Sequence, residues 1–226
     1  MRVLVIAAHP DDEVLGCGGT IARLAREGHS PYIAILGQGI TSRPPGGEHS
    51  DPALVEVLRK CSREASKMLG AGEVFLYDLP DNRFDTVPLL DIVRIVEELV
   101  GRLEPDAVYT HYGGDLNIDH VMLHRAVVTA TRPTVGYPVK EIYAFEVPSS
   151  TEWAFGQFQP VFCPNVFVDI TNTLSTKIQA MGVYSTEIRD LPHPRSPDGL
   201  RALAQVRGSA AGVEAAEAFL LVRKMI

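Results

Sequence analysis

The chain has 226 residues, 46% of them hydrophobic, and its 21 Lys and Arg against 28 Asp and Glu leave a formal net charge of −7. A chain this long buries roughly 70% of its unfolded surface and needs no covalent staples; its length suits one domain, residues 1–226. The acidic balance speaks against a nucleic-acid binder, which carries a basic stripe, and against docking on anionic membrane.

Val3 to Ala8 is a continuous apolar run, the mark of a strand buried on both faces. A helix follows from about Glu13 to Glu27, stopped by Gly28. Tyr32 to Leu36 is a second buried run, Leu54 to Leu69 a helix closed by Gly70, and Val74 to Tyr77 a third strand. Pro88 starts a helix carried by Leu89 to Leu103 and ended by Pro105. Ala107 to Thr110 is a fourth strand and Asp119 to Thr131 a further helix. Strands alternating with helices of about a dozen residues imply parallel βαβ units and an α/β sandwich. Later, Ile142 to Val147 and Val166 to Ile170 read as strands and Leu174 to Glu187 as helix. Leu191 to Pro197 holds three prolines and is irregular. Residues 198–218 are Ala-rich and read as helix, with breaks near Gly208 and Gly212. Gly37 to Pro52 and Leu79 to Val87 are loops, and loops longer than about 12 residues are usually functional or mobile.

Cys17, Cys61 and Cys163 are odd in number and form no CxxC pair, which indicates neither a disulfide framework nor a thiolate metal knot. The apolar N-terminal run is too short for a secretory leader. No run approaches the roughly 18 apolar residues of a membrane span. The expectation is a soluble, cytoplasmic protein.

Two segments carry chemistry. Ala8-His9-Pro10-Asp11-Asp12-Glu13 sits where the first strand enters a helix, and ligands of open α/β sheets bind at the carboxyl ends of strands. Asp12 and Glu13 also suit a helix N-terminus through the dipole, but that leaves His9 unexplained. The second segment, His111 to His120, follows the fourth strand. His120 and His124 lie at i and i+4, on one face: either a solvated face or metal-capable. His9, Asp12 and His120 together would leave an open position for water, the pattern of a catalytic zinc site.

AHPDDE after the first strand, with DLNIDH opening a later helix, resembles the LmbE-like, or PIG-L, deacetylase family. Pro192-His193-Pro194-Arg195-Ser196, Arg207-Gly208 and Ala215-Ala216-Glu217-Ala218-Phe219 look like one bacterial and archaeal branch of it. The resemblance implies a three-layer, Rossmann-like sandwich with a mostly parallel sheet. It also implies removal of acetyl from an N-acetylglucosamine-type small molecule or glycoconjugate, with Zn²⁺ or another divalent metal. By position the ligands fall on His9, Asp12 and His120, the general base on Asp11, and a substrate-holding arginine on Arg59. Relatives of this kind are often homo-oligomers. Many members carry His where this chain has Asn117. An amide can donate to an oxyanion but cannot be a cation, and losing an oxyanion donor costs about 10²–10³ in rate.

His193 is therefore expected either to swing into the site, with Arg195 on substrate, or to sit in an exposed loop. Asp119, beside His120, is a candidate acceptor for an imidazole N–H, with His124 in the same supporting role. Arg83 either binds substrate or pairs with Asp81 or Asp85. Glu48 and His49 lie in the long loop, a candidate lid. Trp153, Phe155 and Phe158 suit a sugar wall or an oligomer contact. Two rivals fail: the turn after the first strand holds carboxylates where a pyrophosphate loop needs glycine, and no G-x-S-x-G elbow exists. A non-catalytic metal- or sugar-binding relative remains the alternative.

Overall fold

In the computed structural model, which describes residues 1–39 and 52–226, the apolar N-terminal run forms β1 (Arg2–Ala7). Its side chains alternate between two cores. Val3, Val5 and Ala7 pack with Val14, Leu15 and Ile21, whereas Leu4, Ile6 and Ala8 pack with Ile92, Val96, Leu123 and Val127. A strand's side chains point to opposite faces in turn, so an unbroken apolar run means that both faces are covered. Leu4 and Ile6 are fully buried, and each such side chain stabilises the fold by roughly 1.5–3 kcal/mol.

The remaining elements are α1 (Asp12–Arg26), β2 (Ser30–Gly37), α2 (Pro52–Met68), β3 (Val74–Leu79), α3 (Leu89–Leu103), β4 (Ala107–His111), α4 (Ile118–Ala130), β5 (Glu141–Phe145), β6 (Val166–Asp169), α5 (Leu174–Val183), α6 (Pro197–Ala211) and β7 (Ala216–Lys224). The sheet order is β3-β2-β1-β4-β5-β7-β6. β7 runs antiparallel to both β5 and β6, and the other pairs are parallel. This is the expected mostly parallel α/β sandwich. α1, α2, α5 and α6 cover one face, and α3 and α4 the other. The chain leaves β1 towards β2 and β3, then returns to place β4 on β1's other side. The carboxyl ends of β1 and β4 therefore flank a topological switch point, where α/β sheets open a crevice.

Three expectations need correction. The Ala-rich stretch does not stay helical to residue 218. α6 ends at Ala211 and is capped by Gly212, whose φ of +76° suits glycine, and the chain turns back as β7. Pairing on both sides overrides the helical propensity of alanine. Gly208 is not a break: it lies inside α6, and a Cβ there would meet the Val213 carbonyl at 2.7 Å as the chain returns. The helix expected to reach Glu187 ends at Val183, and Tyr184 turns inward to donate from its hydroxyl to Glu13 Oε1 at 2.6 Å. The glycines of α1 serve packing: a Cβ on Gly19 would lie 2.8 Å from Ile170. No helix among the described residues is long and apolar enough to cross a membrane.

Candidate active site

The switch point is a cleft lined by residues from both strand ends, among them His9, Asp11, Asp12, Asn117 and His120. Pro10 fixes the turn after β1, and Asp11 takes φ 104°, a conformation a non-glycine residue seldom adopts. The strain sends Asp11 and Asp12 in different directions. Asp12 Oδ2 is the hub: it accepts from the His9 backbone N–H at 2.9 Å and lies 3.2 Å from both His9 Nδ1 and His120 Nε2. Among the described residues, His9, Asp12 and His120 form a buried group able to hold a metal ion.

The donor set tests well for a divalent cation. His120 Nε2 is buried without a hydrogen-bond partner, although it points at a carboxylate it shares with a second imidazole. Burial opposes charge on both rings. The carboxylates of Asp119 and Asp12 nonetheless hold the His9 pKa well above the ordinary value. Asp12 and Asp115 likewise bring His120 up to about 9 despite its burial. The negative field of these carboxylates also suits a metal cation. Two imidazoles and one carboxylate are a borderline N/O set suited to zinc.

Each ring is held from behind. His9 Nε2 meets Asp119 Oδ2 at 2.8 Å and Asp81 Oδ1 at 3.1 Å. Asp119 also accepts from the backbone N–H groups of Asn82 and Phe84, at 2.6 and 2.8 Å. With both oxygens engaged, Asp119 serves as a brace for His9. The grouping of His9, Asp81 and Asp119, also within metal-binding range, is thereby explained without a second ion. Asp119, expected as an acceptor for an imidazole N–H, meets the ring of His9, and the acceptor for His120 Nδ1 is Asp115, at 3.0 Å. Burial would raise the Asp115 carboxyl, but the hydrogen bond and charge of His120 pull it down to about 2. His111 stacks on His120 with centroids 3.9 Å apart and accepts the Ala8 N–H through Nε2 at 2.8 Å.

Asp11 stands apart from the ligand group. Burial pushes its carboxyl up to about 7, against the pull of the Arg195 guanidinium. Arg195 Nη1 donates to Asp11 Oδ2 at 2.7 Å and lies 3.6 Å from Glu187. A carboxyl poised near neutrality beside a cleft is suited to moving a proton. Asn117 caps α4: its Oδ1 accepts from Asp119 N at 2.9 Å. That leaves the NH₂ end of its amide as the group with donors to offer the cleft.

Other expected residues fall elsewhere. His124 does not share the cleft: its Nδ1 donates to the His111 carbonyl at 2.8 Å. One helical turn of 5.4 Å carries it past the cluster, and Gly113 leaves room for its ring. The structure brings Arg195 of the Pro-rich loop to the cleft, whereas His193 is not among the lining residues. His193 Nδ1 accepts the Arg195 N–H at 3.1 Å, and its ring meets Trp153 edge-on. Arg59 donates to Asp78 at 2.6 Å and Arg83 is exposed; neither lines the cleft. Phe155 is 78% exposed and Phe158 49%, so neither ring is packed away. Glu48 and His49 lie outside the described residues. Sequence reasoning assigned no role to His111, Asp115 or Glu187; the first two lay inside a quoted segment, without a spacing rule to single them out.

The fold and cleft define an α/β protein whose strand ends gather a buried His–Asp cluster beside a near-neutral carboxyl. A family model described as PIG-L, GlcNAc-PI de-N-acetylase, matches residues 4–131, and the chain belongs to that family. It is 30% identical over 173 residues to Uncharacterized deacetylase YaiS of Escherichia coli (strain K12), covering 74% of this chain and 81% of that protein. Among solved structures it is similar to GalB, the 4-carboxy-2-hydroxymuconate hydratase from Pseudomonas putida KT2440 (TM-score 0.80, 22% identity, 100% of this chain and 97% of that one). It is also similar to the N,N'-diacetylchitobiose deacetylase from Pyrococcus horikoshii (TM-score 0.77, 22% identity, 98% and 84%). At these identities the two structures bear on the fold.

Proposed function

We propose that this protein removes the acetyl group from an N-acetylated amino sugar of the N-acetylglucosamine type, releasing acetate and a free amine. The observation that carries the reading is the buried Nε2 of His120, which makes no hydrogen bond yet lies 3.2 Å from the Asp12 oxygen that His9 Nδ1 also approaches, beside a separate buried Asp11. His9, Asp12 and His120 would hold a divalent cation, zinc in first place. When bound, the cation supplies Lewis-acid polarisation of the acyl oxygen and a lowered pKa for water.

The chain's own residues divide the remaining work. Asp11 accepts a proton from the attacking water and returns it to the departing nitrogen. Its pKa near 7 makes both transfers accessible at neutral pH. Arg195 holds the Asp11 carboxylate in one orientation through Oδ2, leaving Oδ1 for water. The Asn117 amide donates towards the oxyanion. Ser149 and Ser150 line the cleft, their hydroxyls engaged with Arg195 and Asp115.

Family relatives named as deacetylases, YaiS among them, support the reaction class. The hydratase neighbour shows that this fold serves more than one chemistry, so the assay measures acetate itself. Purified protein loaded with zinc is screened over N-acetylated sugars, with acetate quantified. Release that disappears in Asp11→Asn supports the reading. No release from any sugar, with cation bound, leaves the non-catalytic binding alternative in its place. A homo-oligomer is proposed as the working assembly, and light scattering after size exclusion measures it.

A further inference from the structure

Asp115 has no part in the chemistry above, yet it is 2% exposed and is the acceptor for four donors. Oδ1 faces His120 Nδ1 at 3.0 Å, the Asn117 backbone N–H at 2.9 Å and the Ser150 hydroxyl; Oδ2 accepts the Thr151 hydroxyl at 2.5 Å. A carboxylate that only needed neutralising would not gather donors from both the α4 entry and the 149–151 turn. The second connection continues. Ser149, held at φ 69°, accepts from Arg195 Nε at 2.8 Å, and Arg195 Nη1 reaches Asp11 at 2.7 Å.

We propose that Asp115 is a positioning residue that sets both halves of the site: it orients His120 towards Asp12 directly, and it fixes Arg195 against Asp11 through the Ser149–Thr151 turn. Accepting the His120 Nδ1 proton leaves the Nε2 lone pair facing the ligand group, which fixes tautomer and ring angle together. Holding Ser150 and Thr151 pins the turn on which Ser149 carries the Arg195 guanidinium. A single carboxylate thus couples the group that binds the cation to the group that orients the base. The inference rests on the proposed function for its second arm, and on cation binding alone for its first.

Asp115→Asn tests the first arm. It preserves shape and an oxygen for His120, Asn117 and Ser150, and removes the charge. Zinc affinity, measured by competition with a chromophoric chelator, is expected to fall about 10–100-fold. The visible spectrum of the cobalt-substituted protein is expected to shift, while thermal unfolding of the metal-free protein stays cooperative. Ser150→Ala, a smaller change, is expected to weaken affinity in the same direction and covers the case in which Asp115→Asn fails to fold. Ser149→Ala tests the second arm: kcat is expected to fall with zinc affinity unchanged. Unaltered zinc affinity and cobalt spectrum in folded Asp115→Asn would overturn the proposal. Unaltered kcat in Ser149→Ala would overturn its second arm. Wild-type protein that binds zinc but releases no acetate sinks the proposed function and with it the second arm, and leaves the first arm standing, because the affinity measurement needs no substrate. Wild-type protein that binds no cation sinks both.

Discussion

The two strand ends that meet in the cleft are built in opposite ways. At the end of β1, four consecutive residues, His9 to Asp12, supply two candidate ligands and the candidate base, oriented by a proline and one strained backbone conformation. At the end of β4, His111 to His120 supply one candidate ligand, and its orientation depends on Asp115, Ser150, Thr151 and the stacked His111. The first end takes its backbone course from local geometry, with Asp119, Asp81 and Arg195 holding its side chains from elsewhere in the chain. The second is set by packing between distant segments. Groups that must lie beside one another can share a motif; groups that hold them still must approach from behind, and only the fold brings them there.

Substitutions can break this division, beginning with the strongest. His9→Ala removes a proposed ligand, so cation content and acetate release are both expected to fall to background, by metal analysis and acetate assay. Asp11→Asn is expected to keep the cation and lose about 10²–10⁴ in kcat. Burial holds the Asp11 carboxyl near 7, and the base acts only when ionised, so wild-type kcat falls as pH drops through a pKa at or below about 7. Because the Arg195 charge lowers that pKa, Arg195→Gln moves the acid limb to higher pH. A limb that stays in place in a pH–rate profile would mean that another group titrates. Asn117→Ala removes both a helix cap and the amide donor. A loss of about 10² in kcat is expected from the donor, with about 1 kcal/mol of stability from the cap, read by urea unfolding. At the small end, His124→Ala is expected to leave cation content intact and change kcat only a few-fold. His193→Ala is expected to act only as far as it loosens Arg195, again with the cation retained.

What the sequence revealed follows the same line. The continuous run before His9 identified a buried strand, and a His-Pro-Asp-Asp turn after it marked the crevice. The parallel sheet followed from alternation of strands and helices. Asp119 was legible as a brace but not its partner. Neighbours on a helix point about 100° apart, so Asp119 and His120 cannot face one target. Asp119 reaches back to β1 while His120 faces Asp12. His124 was misread for the complementary reason: it shares a face with His120 but sits a turn too far along. The start of the strand at Ala216–Lys224 was hidden because its alanines carry no β signature, and its identity came from pairing with β5 and β6. Glu187 reaches Arg195 only because α5 ends early at Val183, which no local pattern announces.

The most direct test of the account is a zinc titration of chelated protein with acetate release from an N-acetylated amino sugar as the readout. The account predicts activity that is absent without metal and rises to a plateau at about one equivalent per chain, as one site of three protein ligands requires. The same titration of His120→Ala should yield no such plateau. Acetate release that survives chelation, or a wild-type plateau that His120→Ala reproduces, would contradict it.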